Sequence, residues 1–77
     1  MSDVEQRVKE VVARTLKVDM GRITNEARFV EDLGAESIQS VELVAAFEEE
    51  FDMEMDEEEA LDVKSVGKAI TFIAERL

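Results

Sequence analysis

Apolar side chains recur at the three- and four-residue spacing of an amphipathic helix along most of this 77-residue chain. The spacing predicts longer helices at about 3–17, 37–51 and 66–76, and a short helix at about 57–62. No stretch alternates apolar and polar residues in the way that a half-buried strand does. We therefore expect an all-α fold, a small four-helix bundle of three longer helices and one short one, with a long loop between the first two.

Capping residues and apolar stripes support this assignment. The candidate caps are Ser2 with Glu5, Asp56 with Glu59, and Ser65. The expected core stripes are Val4, Val8, Val11, Val12 and Leu16 in the first helix, Leu43, Val44, Phe47 and Phe51 in the second, and Val66, Ile70, Ile73 and Leu77 in the last. The residues expected to attach the long loop to this core are Val18, Ile23, Ala27, Phe29 and Leu33. A chain of this length suits one domain, so residues 1–77 are expected to form a single unit.

The charge of the chain is concentrated in its middle third. The net charge is −11, and residues 37–63 contain eleven acidic side chains and no basic one. Such a surface disfavours nucleic acid and anionic membrane as partners and favours a basic protein surface. The alternative is a solvated acidic face that serves only solubility.

The chain contains no His and no Cys. Neither the usual base-assisted activation of a serine nor a cysteine nucleophile is therefore available, and we expect a protein that is not an enzyme. The chain has no apolar run of 18 residues and no signal-peptide pattern. A cytoplasmic protein is expected, with an organelle after processing as the alternative.

The acidic run Asp52-x-Glu54-x-Asp56 deserves comparison with a calcium-binding loop. An EF-hand requires Gly at its sixth position and a bidentate acid at its twelfth. These positions hold Glu57 and Val63, so no metal site is expected. The alternative that stays open is weak binding of divalent cations, which would screen the charge of the clustered carboxylates.

The second helix carries an apolar strip opposite its core face. When successive residues are placed 100° apart around the helix axis, the apolar side chains of this strip lie between glutamate side chains. Its members are Ile38, Val41 and Ala45, interleaved with Glu42, Glu48 and Glu49. An exposed aliphatic strip of this kind is typical of a docking surface. The alternative is a helix buried on two sides.

Ser37 follows a Gly-containing loop and stands at the start of this helix. Residues 32–38 read Asp-Leu-Gly-Ala-Glu-Ser-Ile, and Val-Glu-Leu-Val follows at 41–44. This stretch closely resembles the phosphopantetheine attachment motif of acyl carrier proteins. The resemblance extends over the whole chain, including the capped first helix, the loop and Glu-Glu-Glu-Phe at the end of the second helix.

The resemblance implies a type II acyl carrier protein. In that family the serine, here Ser37, carries 4′-phosphopantetheine, which holds acyl groups as thioesters during fatty acid biosynthesis or a related lipid or polyketide pathway. The implied partners are a phosphopantetheinyl transferase and acyl-synthesis and acyl-transfer enzymes with basic docking surfaces, and a monomer is expected. The residues expected to contact these partners are Glu36, Ile38, Val41, Glu42, Ala45, Glu48 and Glu49.

Three positions depart from the usual pattern of the family. Glu36 stands where Asp usually precedes the serine, Ile38 where Leu usually follows, and Ala45 where housekeeping members often have Met. These departures favour a specialised carrier without excluding the one used in fatty acid synthesis. Outside the family, the alternative is an acidic interaction or weak calcium-binding module without a prosthetic group, in which Ser37 is only a helix cap.

Overall fold

The computed structural model describes residues 3–77 and consists of helices and connecting segments. The helices are α1 (Asp3–Leu16), α2 (Ser37–Phe51), α3 (Glu57–Leu61) and α4 (Val66–Arg76), and a 3₁₀ turn at Met20–Arg22 lies in the long loop. Within the described range there is no strand, and the isolated bridge between Arg28 and Ser65 is the one β-type contact. The predicted all-α bundle of three longer helices and one short one is confirmed.

Helix ends agree with the prediction to within one residue. α1 ends at Leu16 because Lys17 adopts a left-handed conformation, with φ of 58°, and Val18 N–H then donates to Ala13 O at 3.2 Å. At α3, the Asp56 carboxylate accepts from the N–H groups of Glu58 and Glu59. The proposed cap at Ser2 lies outside the described residues.

The core lies where α1, α2 and α4 pack together. The buried residues of these helices are Val8, Val11, Val12 and Leu16, then Leu43, Phe47 and Phe51, then Val66, Ala69 and Ile73. Val4, Val44 and Ile70 from the predicted stripes are half-buried. The prediction was wrong for Leu77, which is 64% exposed because it lies beyond the last turn of α4.

Arg7 joins α1 to the end of α2. Its Nε lies 2.8 Å from Oε2 of Glu50, a second guanidinium nitrogen donates to the Glu50 carbonyl oxygen at 2.6 Å, and the guanidinium lies 4.5 Å from the ring centroid of Phe51. A cation at a helix C-terminus interacts favourably with the carbonyl end of the helix dipole. This contact offsets part of the repulsion among the glutamates that end α2.

The long loop is attached to the segment that begins α4 by backbone hydrogen bonds. Phe29 N–H donates to Lys64 O at 3.0 Å, and Val66 N–H donates to Ala27 O at 3.0 Å. Ile23, Ala27, Phe29 and Leu33 are buried as predicted, and Val18 is half-buried.

Gly67 permits the closest approach between these two segments. Its N–H donates to Asn25 O at 2.8 Å, and a Cβ on Gly67 would lie 2.9 Å from that same oxygen. The backbone contact therefore requires glycine here, for which the sequence offered no local signal.

Candidate functional site

Ser37 is the first residue of α2, and its side chain is exposed. The N-cap is Glu36, with φ of −90° and ψ of 167°, and its N–H donates to Oε1 of Gln39 at 2.9 Å. Within residues 3–77, no group forms a hydrogen bond with the Ser37 hydroxyl. A capping role does not explain Ser37, because the preceding residue occupies the cap position.

The turn before Ser37 depends on one glycine between two buried side chains. Leu33 and Ala35 are each 5% exposed, and Gly34 between them has a φ of +74°. Ala35 N–H donates to Phe29 O at 2.8 Å. The buried neighbours and this bond fix the direction in which the chain enters α2.

An ion pair closes the preceding turn. Oδ2 of Asp32 accepts from Nε of Arg28 at 2.9 Å and from the Arg28 backbone N–H at 2.8 Å. The pKa of the Asp32 carboxyl is lowered mainly by the hydrogen bond from the Arg28 side chain and next by the one from the Arg28 backbone. The same side-chain hydrogen bond raises the pKa of Arg28. Arg22 adds a bond to the Asp32 carbonyl oxygen at 3.1 Å. Because the pKa of Asp32 is lowered on folding, its contribution to stability is present at neutral pH and is lost in acid, as pH falls through the lowered value.

The strip on α2 is exposed, as the sequence predicted. Ile38 is 65% and Val41 46% exposed, and Ala45 is also exposed. The side chains of Glu36, Glu42 and Glu49 are exposed around it. The alternative of a helix buried on two sides is therefore wrong.

Glu48 differs from the other glutamates of this group. It is half-buried, and its Oε2 accepts the backbone N–H of Met55 at 2.9 Å. Sequence reasoning missed this bond because the two residues are seven positions apart, across the end of a helix.

A largely apolar cavity of about 300 Å³, partly open to the surface, lies between the helices next to the start of α2. Its lining includes Leu43 and Phe47 of α2, Ala60 and Leu61 of α3, Phe72 and Ile73 of α4, Met55 of the connector and Phe29 of the loop. Ser40 also lines the cavity. At a helical rise of 1.5 Å per residue, Ser40 lies about 4.5 Å along the helix axis from Ser37. Phe72, Met55 and Ser40 were not predicted as part of this region, since their packing depends on how the helices are arranged.

No group of His, Cys, Asp and Glu residues in the described part of the chain converges to hold a metal ion. None of the helices described between residues 3 and 77 combines the length and the apolar character needed to cross a bilayer.

A bundle that presents an unpartnered serine at the start of a helix, beside an apolar cavity, has the architecture of a carrier domain. The family model of the phosphopantetheine attachment site matches residues 6–73. The chain belongs to this family and is an acyl carrier protein, which is a carrier and not an enzyme. Its prosthetic group is 4′-phosphopantetheine, and the exposed, unpartnered serine beside a helix N-terminus is compatible with a covalently bound phosphodiester.

Similar proteins agree with this assignment. The chain is 49% identical over 77 residues to the acyl carrier protein of Phenylobacterium zucineum (strain HLK1), covering 100% of this chain and 98% of that protein. A solved structure of a candidate acyl carrier protein from Mycobacterium tuberculosis has a TM-score of 0.87 and 31% identity. That match covers 96% of this chain and 99% of the other.

Replacement of Gly34 tests the turn before Ser37. Gly34→Ala should lower the free energy of unfolding by about 1 kcal/mol, because a side chain is unfavourable at positive φ. Urea denaturation measures this difference. Gly21→Ala is the matched control, since a Cβ at either glycine meets no atom within 4 Å but only Gly34 has a positive φ. Equal stability of the two variants would contradict the role of the turn.

Proposed function

We propose that Ser37 is the covalent attachment point for 4′-phosphopantetheine and that the protein carries acyl groups for fatty acid biosynthesis or a related specialised lipid or polyketide pathway. The observation that carries the proposal is the contrast among the serines of residues 3–77. Ser37 is exposed and unpartnered, Ser40 is half-buried at the cavity, and the Ser65 hydroxyl accepts from Lys68 N–H at 3.3 Å. Residues 1–77 form one carrier domain in this proposal.

Attachment is a phosphoryl-group transfer from coenzyme A to Ser37. The serine oxygen forms a bond to the phosphorus next to the pantetheine, the pyrophosphate bond of coenzyme A breaks, and 3′,5′-ADP leaves. The proton of the hydroxyl passes to a base of the transferase. The start of α2 favours the product, since the positive end of a helix dipole stabilises a phosphodiester.

The bound prosthetic group supplies a thiol on a flexible arm, which holds an acyl group as a thioester. The protein itself contributes the cavity next to the start of α2. At about 300 Å³, the cavity is about twice the size of an engineered 150 Å³ cavity that binds benzene. Burial of each methylene contributes about 0.8 kcal/mol. The cavity therefore suits the hydrocarbon part of a medium-length acyl chain.

The exposed face of α2 is the proposed docking surface. Its residues are Glu36, Ile38, Val41, Glu42, Ala45, Glu48 and Glu49. The partners are a phosphopantetheinyl transferase and acyl-synthesis and acyl-transfer enzymes with basic surfaces, which the acidic rim attracts and the apolar strip contacts. The protein acts as a cytoplasmic monomer in this proposal. Mass spectrometry of the protein from its native host identifies the cargo and thereby the pathway.

Loading tests the attachment point. Incubation with a phosphopantetheinyl transferase and coenzyme A should add the mass of one phosphopantetheine, and Ser37→Ala should abolish the addition without loss of helical circular dichroism. Ser40→Ala is the control and should load. Modification at Ser40 or Ser65, or no modification by several transferases, would contradict the proposal and favour an acidic interaction module.

Thermal unfolding tests the cargo site. The octanoyl form should melt at least about 4 °C above the unacylated form, which corresponds to roughly 1 kcal/mol for a domain of this size. The acetyl form is the matched control, because it carries the same thioester with almost no hydrocarbon to bury. Identical melting of all three forms, with unchanged NMR shifts at Leu43 and Phe47, would place the chain in solvent.

Charge neutralisation tests the docking surface. Glu42→Gln and Glu49→Gln should each slow association with the transferase by about three- to tenfold at low ionic strength and reduce its dependence on salt. Stopped-flow fluorescence measures the rate. Glu75→Gln removes the same charge from an exposed position on α4 and should have little effect. Equal rates for all of these variants would leave the acidic face with a role in solubility only.

A further inference from the structure

The α4 side of the cavity is bordered by an open groove on the outer face of α4. The lining of this groove includes Lys68, Thr71 and Glu75, which are exposed. Among the described residues, Val63 and Phe72 line both the cavity and the groove. Phe72 has the larger side chain of the two and packs against the core. Its ring therefore stands between the cavity and the groove.

Arg76 holds the Phe72 ring at this position through three contacts. Its guanidinium lies 3.7 Å from the ring centroid, an arrangement in which cation and aromatic face attract each other. One terminal nitrogen donates to the Phe72 carbonyl oxygen at 3.0 Å, and the other pairs with Glu59 of α3 at 3.0 Å. In the described part of the chain, α3 and α4 have no close backbone contact, so these side chains form the link between the two helices.

Phe72 lies away from the end of the cavity that is next to Ser37. Phe29 joins the starts of α2 and α4, because its carbonyl oxygen accepts from Ala35 N–H and its N–H donates to Lys64 O. The two helices therefore begin on the same side of the bundle. At a rise of 1.5 Å per residue, Phe72 is about 9 Å along the axis from the first residue of α4. An acyl chain that enters from the start of α2 reaches the Phe72 ring only after it has passed between the helices.

We propose that Phe72 determines the longest acyl chain that the cavity accepts, because its ring closes the cavity against the groove on α4. Arg76 is a positioning residue that holds this ring in place. The proposal rests on the proposed function of the cavity as the cargo site. It defines the cargo class as acyl chains that end at the Phe72 ring, and a longer chain leaves its last methylenes exposed to water.

A series of acyl forms from hexanoyl to tetradecanoyl tests the wall by thermal unfolding. The melting temperature should rise by up to about 3 °C for each methylene that becomes buried, and should stop rising at the length that fills the cavity. Phe72→Leu should move this limit to a longer chain by at least about one two-carbon step, because the smaller side chain opens the cavity towards the groove. Phe47→Leu is the matched control, since Phe47 lines the cavity but not the groove.

Each series is compared with the acetyl form of the same variant, so that a change in the stability of the fold itself cancels. Phe47→Leu should move the limit less than Phe72→Leu. An equal shift in the two variants, or no shift in either, would overturn the role of Phe72 and leave the proposed function intact. Wild-type forms that all melt with the acetyl form would overturn both.

Replacement of Arg76 tests how the ring is held. Arg76→Ala should also move the limit to a longer chain, because the Phe72 ring loses the group that stacks on it. Lys68→Ala is the matched control, since it removes a cation that lines the groove and should leave the limit unchanged. Equal limits in these two variants would overturn the positioning role of Arg76. If Phe72→Leu does not fold, the same comparison decides the proposal as a whole.

Discussion

The backbone contact between the long loop and the segment before α4 is the constraint on which the site depends. Phe29 is its central residue, because its N–H donates to Lys64 O at 3.0 Å and its carbonyl accepts from Ala35 N–H at 2.8 Å. The Phe29 side chain is buried and lines the cavity. One residue thus joins the segment before α4, the cavity and the turn that leads into α2. The position of Ser37 relative to the cavity follows from these bonds, although none of them involves Ser37 itself.

The distribution of charge works against the stability of this small fold, because acids of like charge lie close together on its surface. Of the eleven acids between residues 37 and 63, Glu50 and Glu59 are the ones that form ion pairs with other described residues. The Arg7 contact lies at the C-terminal end of α2, where three glutamates oppose the helix dipole. The exposed acids therefore remain available to a basic partner, and part of their mutual repulsion is offset at one end of the helix.

Glu48 and Glu49 show how neighbouring residues of one type acquire different roles. Glu49 points to solvent, whereas Glu48 is half-buried and binds the backbone of the connector. The acidic face and the cavity are thus adjacent at the point where α2 ends and the connector begins, because Met55, which Glu48 binds, lines the cavity.

The sequence by itself determined the helices, their caps at Asp56 and Ser65, the exposed strip on α2 and the candidate serine, because helical period, capping and motif spacing are local properties. It also indicated the family, which the comparisons confirmed. Only the tertiary structure decided that Arg7 reaches Glu50, that Gly67 touches the loop and that Met55 lines a cavity. It also placed Leu77 in solvent, where the periodic pattern had extended the core stripe by one turn too many. These features arise where segments distant in sequence meet, and a local pattern does not contain the distance between them.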